Sequence, residues 1–269
     1  MPKIRVGANE LHYERAGSGE PLLMIQGMSG THVAWGEPFL GPLRESFDVV
    51  AFDNRGIGLS APIEGAFRIG EMAEDAAGLM DELGIESAHV VGISMGGMIA
   101  QELALAEPSR LRSLTLGCTY CGGPGSQLMP QENVEILAAG MMSGDRDKAI
   151  RASYEVNLSP AFRADESRYA AFHEMATSVP AAKRTIELQA QAIFGHDTSG
   201  RLGEIAVPTL IVHGTEDGVL PYPNGELIAS LMPAARLETF EDVGHMFWWE
   251  QPDRSAELIR EHALAASRA

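Results

Sequence analysis

The chain has only two cysteines in 269 residues, too few for a disulfide framework or a four-thiolate metal site. It has no run of lysines or arginines, and its formal net charge is −17, so it repels phosphate backbones and anionic lipid headgroups. Nucleic acid is therefore not an expected partner. No stretch approaches the ~20 consecutive apolar residues that span a bilayer, and Met1–Gly7 lacks the apolar core of a secretory signal, so the expectation is no membrane partner and a cytoplasmic location. The glycine-rich Asp53–Ser60 lacks the Gly-Lys-Ser/Thr ending of a phosphate loop, and its Gly-x-Gly has no third glycine at dinucleotide spacing. Internal repeats and low-complexity linkers are missing too, and nothing in the sequence sets an oligomeric state.

Cys118 and Cys121 form a lone C-x-x-C after an expected strand, open to a redox pair or half a metal site. With no second pair, and no ligand spacing among the eight histidines, two buried or pocket-lining thiols are the simpler reading.

What is present is apolar material in a regular order. With 45% hydrophobic residues the chain can bury a large core, most simply as one domain with an insertion. Lys3–Gly7 and Glu10–Ala16 read as an antiparallel hairpin at a sheet edge. Pro21–Gln26, Phe47–Phe52, Ala88–Ile93, Leu111–Thr119 and Thr209–His213 read as strands covered on both faces, with a further strand at Arg236–Phe240. Helical spacing fills Ala34–Glu45, Ile69–Leu83, Met95–Ala106, Asn224–Met232 and Pro252–Ala266. Such alternation predicts a parallel sheet with helices on both faces and ligands beyond the carboxyl ends of the strands. From about Tyr120 to Leu202 strands give way to helical segments at Gln131–Met142, Asp145–Leu158, Asp165–Thr177 and Ala181–Phe194. The expected division is a core of residues 1–119 and 203–269 with a helical cap, 120–202, inserted in it.

The chemistry concentrates at Gly92-Ile93-Ser94-Met95-Gly96, where a strand feeds into a helix through a glycine-flanked serine. At so sharp a turn side chains two residues either side of the serine collide, and Gly92 and Gly96 remove that collision. The alternative is an ordinary turn with an N-capping serine. A serine hydroxyl needs a base, usually a histidine oriented by a carboxylate. Asp217 follows the strand Thr209–His213, and His245 follows Arg236–Phe240, giving the chain order Ser, Asp, His that such an elbow calls for. Glu216, Glu241 and Asp242 are rival carboxylates. His213 reads as structural, Asp53 and Arg55 as braces of their turn, and Trp248 and Trp249 as packing residues. His12, His32, His89, His173, His196 and His262 have no motif support.

With GISMGG, DNRGIGLS, HGTEDGVLP and VGHMFWWEQP in this order, the chain resembles the α/β-hydrolase-fold serine hydrolases over nearly its whole length. It is similar in particular to the capped esterase and 3-oxoadipate enol-lactonase-like branch. The resemblance implies an α/β class, with a mostly parallel sheet, helices on both faces and an inserted helical cap. It further implies a small carboxylic ester or lactone as substrate, an acyl-enzyme on Ser94, and neither metal nor cofactor. The backbone N–H groups of Met95 and Met28 match the oxyanion donors, although Gln26 stands where relatives often carry histidine. A serine at the elbow argues against the dehalogenase and epoxide hydrolase branches, which need aspartate. Thioesters, amides, carbon–carbon bonds and perhydrolysis stay open to the same triad, as does a slow-turnover ligand sensor. Met129, Met141, Met142 and Met175, with Met28 and Met95, suggest an adaptable apolar pocket. Arg146, Arg151, Arg163, Arg168, Lys183 and Arg184 are the rival carboxylate-holding groups, expected mostly to face solvent.

Overall fold

The computed structural model describes residues 2–179 and 181–268. Among these residues eight strands form one sheet: β1 Lys3–Val6, β2 Asn9–Gly17, β3 Glu20–Ile25, β4 Phe47–Phe52, β5 Ala88–Ile93, β6 Leu111–Gly117, β7 Thr209–Gly214 and β8 Arg236–Phe240. They lie in the order β1-β2-β4-β3-β5-β6-β7-β8. The β1/β2 and β2/β4 pairs are antiparallel and the others parallel. Among the described residues eleven α-helices accompany them: α1 Glu37–Arg44, α2 Ile69–Glu82, α3 Met95–Ala106, α4 Gln131–Met142, α5 Arg146–Asn157, α6 Pro160–Arg163, α7 Arg168–Ser178, α8 Lys183–Phe194, α9 Pro223–Leu231, α10 Phe247–Glu250 and α11 Pro252–Ala266.

The continuous apolar strands are explained by two cores. Leu23, Ile25, Val50, Phe52 and Val90 pack on one face with α2, α3 and α9, while Leu22, Met24, Val49, Ala51, Val91 and Ile93 pack on the other with α1 and α11. Alternation along each strand divides the residues between them. Helix α3 is enclosed, and burying Met98, Ile99 and Leu103 contributes ~2 kcal/mol each. Because β4 lies on one side of β3 and β5 on the other, the loops after β3 and β5 flank a crevice at the point where strand order reverses.

One expected helix is divided. Residues 34–45 form the end of a 3-10 turn, His32–Trp35, and then α1, because Gly36 at φ 73° breaks the helical path and Pro38 starts a new one. Helices α6 and α10, four residues each, are too short to show a period and went unread.

Between β6 and β7 lie five helices, α4–α8, and no strand among the described residues. Asp145 caps α5 by accepting the Asp147 N–H at 2.9 Å. The insertion's two ends meet: Thr198 N–H donates to Cys121 O at 2.8 Å, and Gln101 of α3 donates to Tyr120 O at 3.2 Å. No described helix is long and apolar enough to cross a membrane.

Candidate active site

Ser94 joins β5 to α3 at φ 54° and ψ −123°, a conformation costly for any residue but glycine. Its surroundings over-determine it. Ser94 N–H donates to Gly117 O at 2.9 Å, and Ser94 O accepts from Gly97 N–H at 2.9 Å and the Thr119 hydroxyl at 2.7 Å. A β-carbon on Gly92 would overlap Gly96 O, and one on Gly96 would overlap Ile25 O, so both glycines allow α3 to start directly against the sheet. The other non-glycine residues at positive φ among those described are Ser29, Cys118 and Asp242, which follow β3, β6 and β8. Backbone strain thus collects at one edge of the sheet.

Asp217 and His245 reach the same edge on the loops after β7 and β8. These loops are fastened together by Glu216 N–H to Val243 O at 2.9 Å and Thr215 N–H to Phe240 O at 3.0 Å. His245 Nδ1 lies 2.8 Å from Asp217 Oδ2, so Nδ1 carries the proton and Nε2 the lone pair. Asp217 is buried, and its Oδ1 accepts from Val219 N–H at 2.8 Å and Leu220 N–H at 2.9 Å. His213 Nε2 adds a contact to Oδ2 at 3.2 Å. Burial pushes the Asp217 carboxyl up, but the charges and hydrogen bonds of His245 and His213 outweigh it and hold the group well below the usual carboxylate range. The rivals Glu216, Glu241 and Asp242 are exposed. Among the described residues the Ser94 hydroxyl makes no hydrogen bond, and it is not closed onto His245. Such bonds commonly tighten only around substrate.

The loop after β3 lies against the serine, since a β-carbon at Gly27 would sit 2.9 Å from Ser94 Cβ. Gln26 folds back, its Oε1 accepting Gly27 N–H at 3.2 Å, while Asn54 donates to Gln26 O at 3.0 Å. Gln189 of α8 accepts Ser29 N–H at 2.9 Å. No described group accepts a hydrogen bond from the N–H of Met28 or Met95, which leaves two donors beside Ser94. Glu250 braces the histidine loop, accepting Gly244 N–H at 2.9 Å, Ser159 N–H at 2.8 Å and the Ser159 hydroxyl at 2.6 Å. Burial pushes its carboxyl up against these bonds.

Sequence reasoning missed Gln189 and Glu250. The available signal was a polar residue on a buried stripe: Gln189 stands among Thr185, Leu188 and Ala192 of α8. Asp53 and Arg55 do brace their turn. Asp53 accepts His32 N–H at 2.7 Å and Leu59 N–H at 2.8 Å, and Arg55 pairs with Asp75 at 2.6 Å. Trp248 and Trp249 pack and both donate to Ala34 O, at 3.0 and 2.8 Å. Cys118 and Cys121 are free buried thiols, each with its pKa pushed up by burial.

The methionine reading needs correction. Met141 and Met142 are 64% and 86% exposed on α4, and Met95 is wholly buried beneath the elbow, so these side chains do not line one pocket. Among the cap cations Arg146, Arg168, Lys183 and Arg184 are exposed, while Arg151 is held by Glu155 and Glu166. A cleft of about 780 Å³ lies between α2, α3 and α8, lined by none of Ser94, Asp217 and His245.

A family model for the alpha/beta hydrolase fold matches residues 20–252. The chain is 30% identical over 261 residues to a protein of Azorhizobium caulinodans named by inference as the carbamate hydrolase RutD, covering 96% of this chain and 97% of that one. It is 30% identical over 250 residues to the 2-hydroxy-6-oxo-6-phenylhexa-2,4-dienoate hydrolase of Comamonas testosteroni, covering 90% and 87%. Among solved structures, Est816, described as an N-acyl homoserine lactone degrading enzyme, superposes with a TM-score of 0.79 at 28% identity, covering 97% of this chain and 99% of that one.

Proposed function

The chain belongs to the alpha/beta-hydrolase-fold family and is a hydrolase, and on that premise we propose that it cleaves a small carboxylic ester or lactone through an acyl-enzyme on Ser94. The observation that carries this reading is the buried Asp217–His245 pair at the same edge of the sheet as a serine held at φ 54°. Ser94 Oγ attacks the acyl carbon and its proton passes to His245 Nε2, while Asp217 fixes the tautomer and offsets the imidazolium charge. The N–H groups of Met28 and Met95 receive the developing oxyanion. His245 then returns the proton to the leaving oxygen, and water, deprotonated by the same nitrogen, releases the acid. No step calls for a metal or cofactor.

We assign residues 120–202 to a cap and residues 1–119 and 203–269 to the core. Supporting this division are the five helices between β6 and β7 and the Cys121–Thr198 closure at their base. The cap supplies Gln189 to the Met28 loop and Ser159 to the His245 loop, so it bears on both halves of the site. The relatives give the same triad a second candidate set, carbamates and dienoates. A turnover screen over short esters, lactones, thioesters, amides, carbamates and dienoates, with Ser94→Ala as the blank, tests the assignment. Ester or lactone turnover lost in Ser94→Ala supports it; turnover confined to another class, or a fluorophosphonate adduct mapped to a residue other than Ser94, overturns it.

A further inference from the structure

We propose that His12, His32 and Glu14 bind a divalent transition metal ion, Zn²⁺ being the best match, at a site apart from Ser94, Asp217 and His245. A ring nitrogen from each histidine and a Glu14 carboxylate oxygen all lie within 4.8 Å of one another. His12 is 0% exposed, and its Nε2 is buried without a hydrogen-bond partner among the described residues. Its Nδ1 lies 2.9 Å from Pro2 O, and since a carbonyl only accepts, Nδ1 holds the proton and Nε2 presents a lone pair. His32 is arranged alike: its Nδ1 lies 2.9 Å from Asp53 Oδ1, leaving Nε2 to face Glu14 Oε1 at 3.7 Å. The rings stand edge to face with centroids 4.5 Å apart.

Two imidazoles whose far nitrogens are each tied to an oxygen acceptor, joined by a carboxylate, form the donor set and outer support of a Zn²⁺ site. Tetrahedral Zn²⁺ brings such donors to about 3.3 Å from one another, so all three groups draw together, the half-exposed Glu14 side chain by rotation and the two rings by small side-chain shifts. His12 and Glu14 share one face of β2 and His32 comes from the turn after β3, so the ion would clasp the edge hairpin to the segment that carries Met28.

The test uses the full chain, stripped with a chelator and titrated with ZnCl₂ by calorimetry, with the Co²⁺ absorption spectrum as a second readout. The expected result is one Zn²⁺ per chain, a Tm that rises with Zn²⁺, and a tetrahedral Co²⁺ spectrum. His12→Gln and His32→Gln should each weaken Zn²⁺ binding at least tenfold. Glu14→Gln, at a half-exposed position that folding does not need, should weaken it comparably and decides the matter where a histidine variant fails to fold. His245→Ala should bind Zn²⁺ as wild type does. Absence of saturable binding, unchanged affinity in Glu14→Gln, or loss of binding in His245→Ala would each overturn the proposal.

Discussion

The carboxyl edge of the sheet and the helical insertion between β6 and β7 are built to different standards. At the sheet edge each of the four non-glycine residues with positive φ among those described has its backbone N–H hydrogen-bonded, and buried polar groups such as Asp217 have several partners. The insertion keeps its charges on the surface, as in the Arg151–Glu155 and Arg151–Glu166 pairs. Among the described residues it also carries six of the seven exposed large hydrophobic ones: Leu128, Val134, Ile136, Met141, Met142 and Phe194. Strain and burial persist where reacting groups must be placed to a fraction of an ångström, and surface variation is tolerated where nothing is positioned. The exceptions are the insertion's inward polar contacts, Gln189 and Ser159, which reach the edge itself.

The largest effect that would sharpen this contrast is at the proposed nucleophile. Ser94→Ala should keep the fold and lower kcat by ~10⁶, measured against the same substrate with circular dichroism as the fold check. Asp217→Asn follows, with a loss of ~10⁴ in kcat, since asparagine holds the wrong histidine tautomer. A loss of only a few-fold would move the orienting role to another carboxylate.

A third prediction concerns the insertion's one deeply buried histidine. Burial brings the His196 pKa down from 6.5 to about 4, so between these values the unfolded chain binds a proton that the folded chain refuses. Stability is therefore unaffected above pH 6.5 and falls as pH drops toward 4, by an amount of order 3 kcal/mol from this group. Urea midpoints across that window should fall less steeply in His196→Gln, and parallel curves would reject the assignment.

Gln189→Ala removes the acceptor for Ser29 N–H and should lower kcat by roughly tenfold with little change in KM, as a displaced oxyanion loop requires. An unchanged kcat would separate the insertion from catalysis. The smallest effect belongs to Met142→Ser at 86% exposure, with stability within about 0.5 kcal/mol of wild type and kcat/KM unchanged. A large change in kcat/KM there would break the comparison, because it would put a working surface where the structure has solvent.

Much of the site was legible in the chain. Gly92 and Gly96 flank a serine between a strand pattern and a helix pattern, and Asp217 and His245 each follow a strand, so local spacing sufficed to nominate them. Their meeting was not local: the Asp217–His245 contact joins residues 28 apart, and Gln189 reaches Ser29 across 160. Methionine content suggested one shared pocket, yet Met141 and Met142 face solvent and Met95 is buried, because composition says nothing about which face of α4 is turned outward.

By itself, then, the sequence determined the alternation of strands and helices, the helical insertion and the candidate nucleophile, acid and base, because each is written in short-range periodicity and turn chemistry. Only the tertiary structure decided which carboxylate is buried against His245, how Gln26 folds back onto its own loop, that Gln189 and Glu250 brace the edge, and that His12 and His32 face each other. Those outcomes depend on strand order and on which side chains lose their water, and neither is a property of any stretch of chain shorter than the sheet.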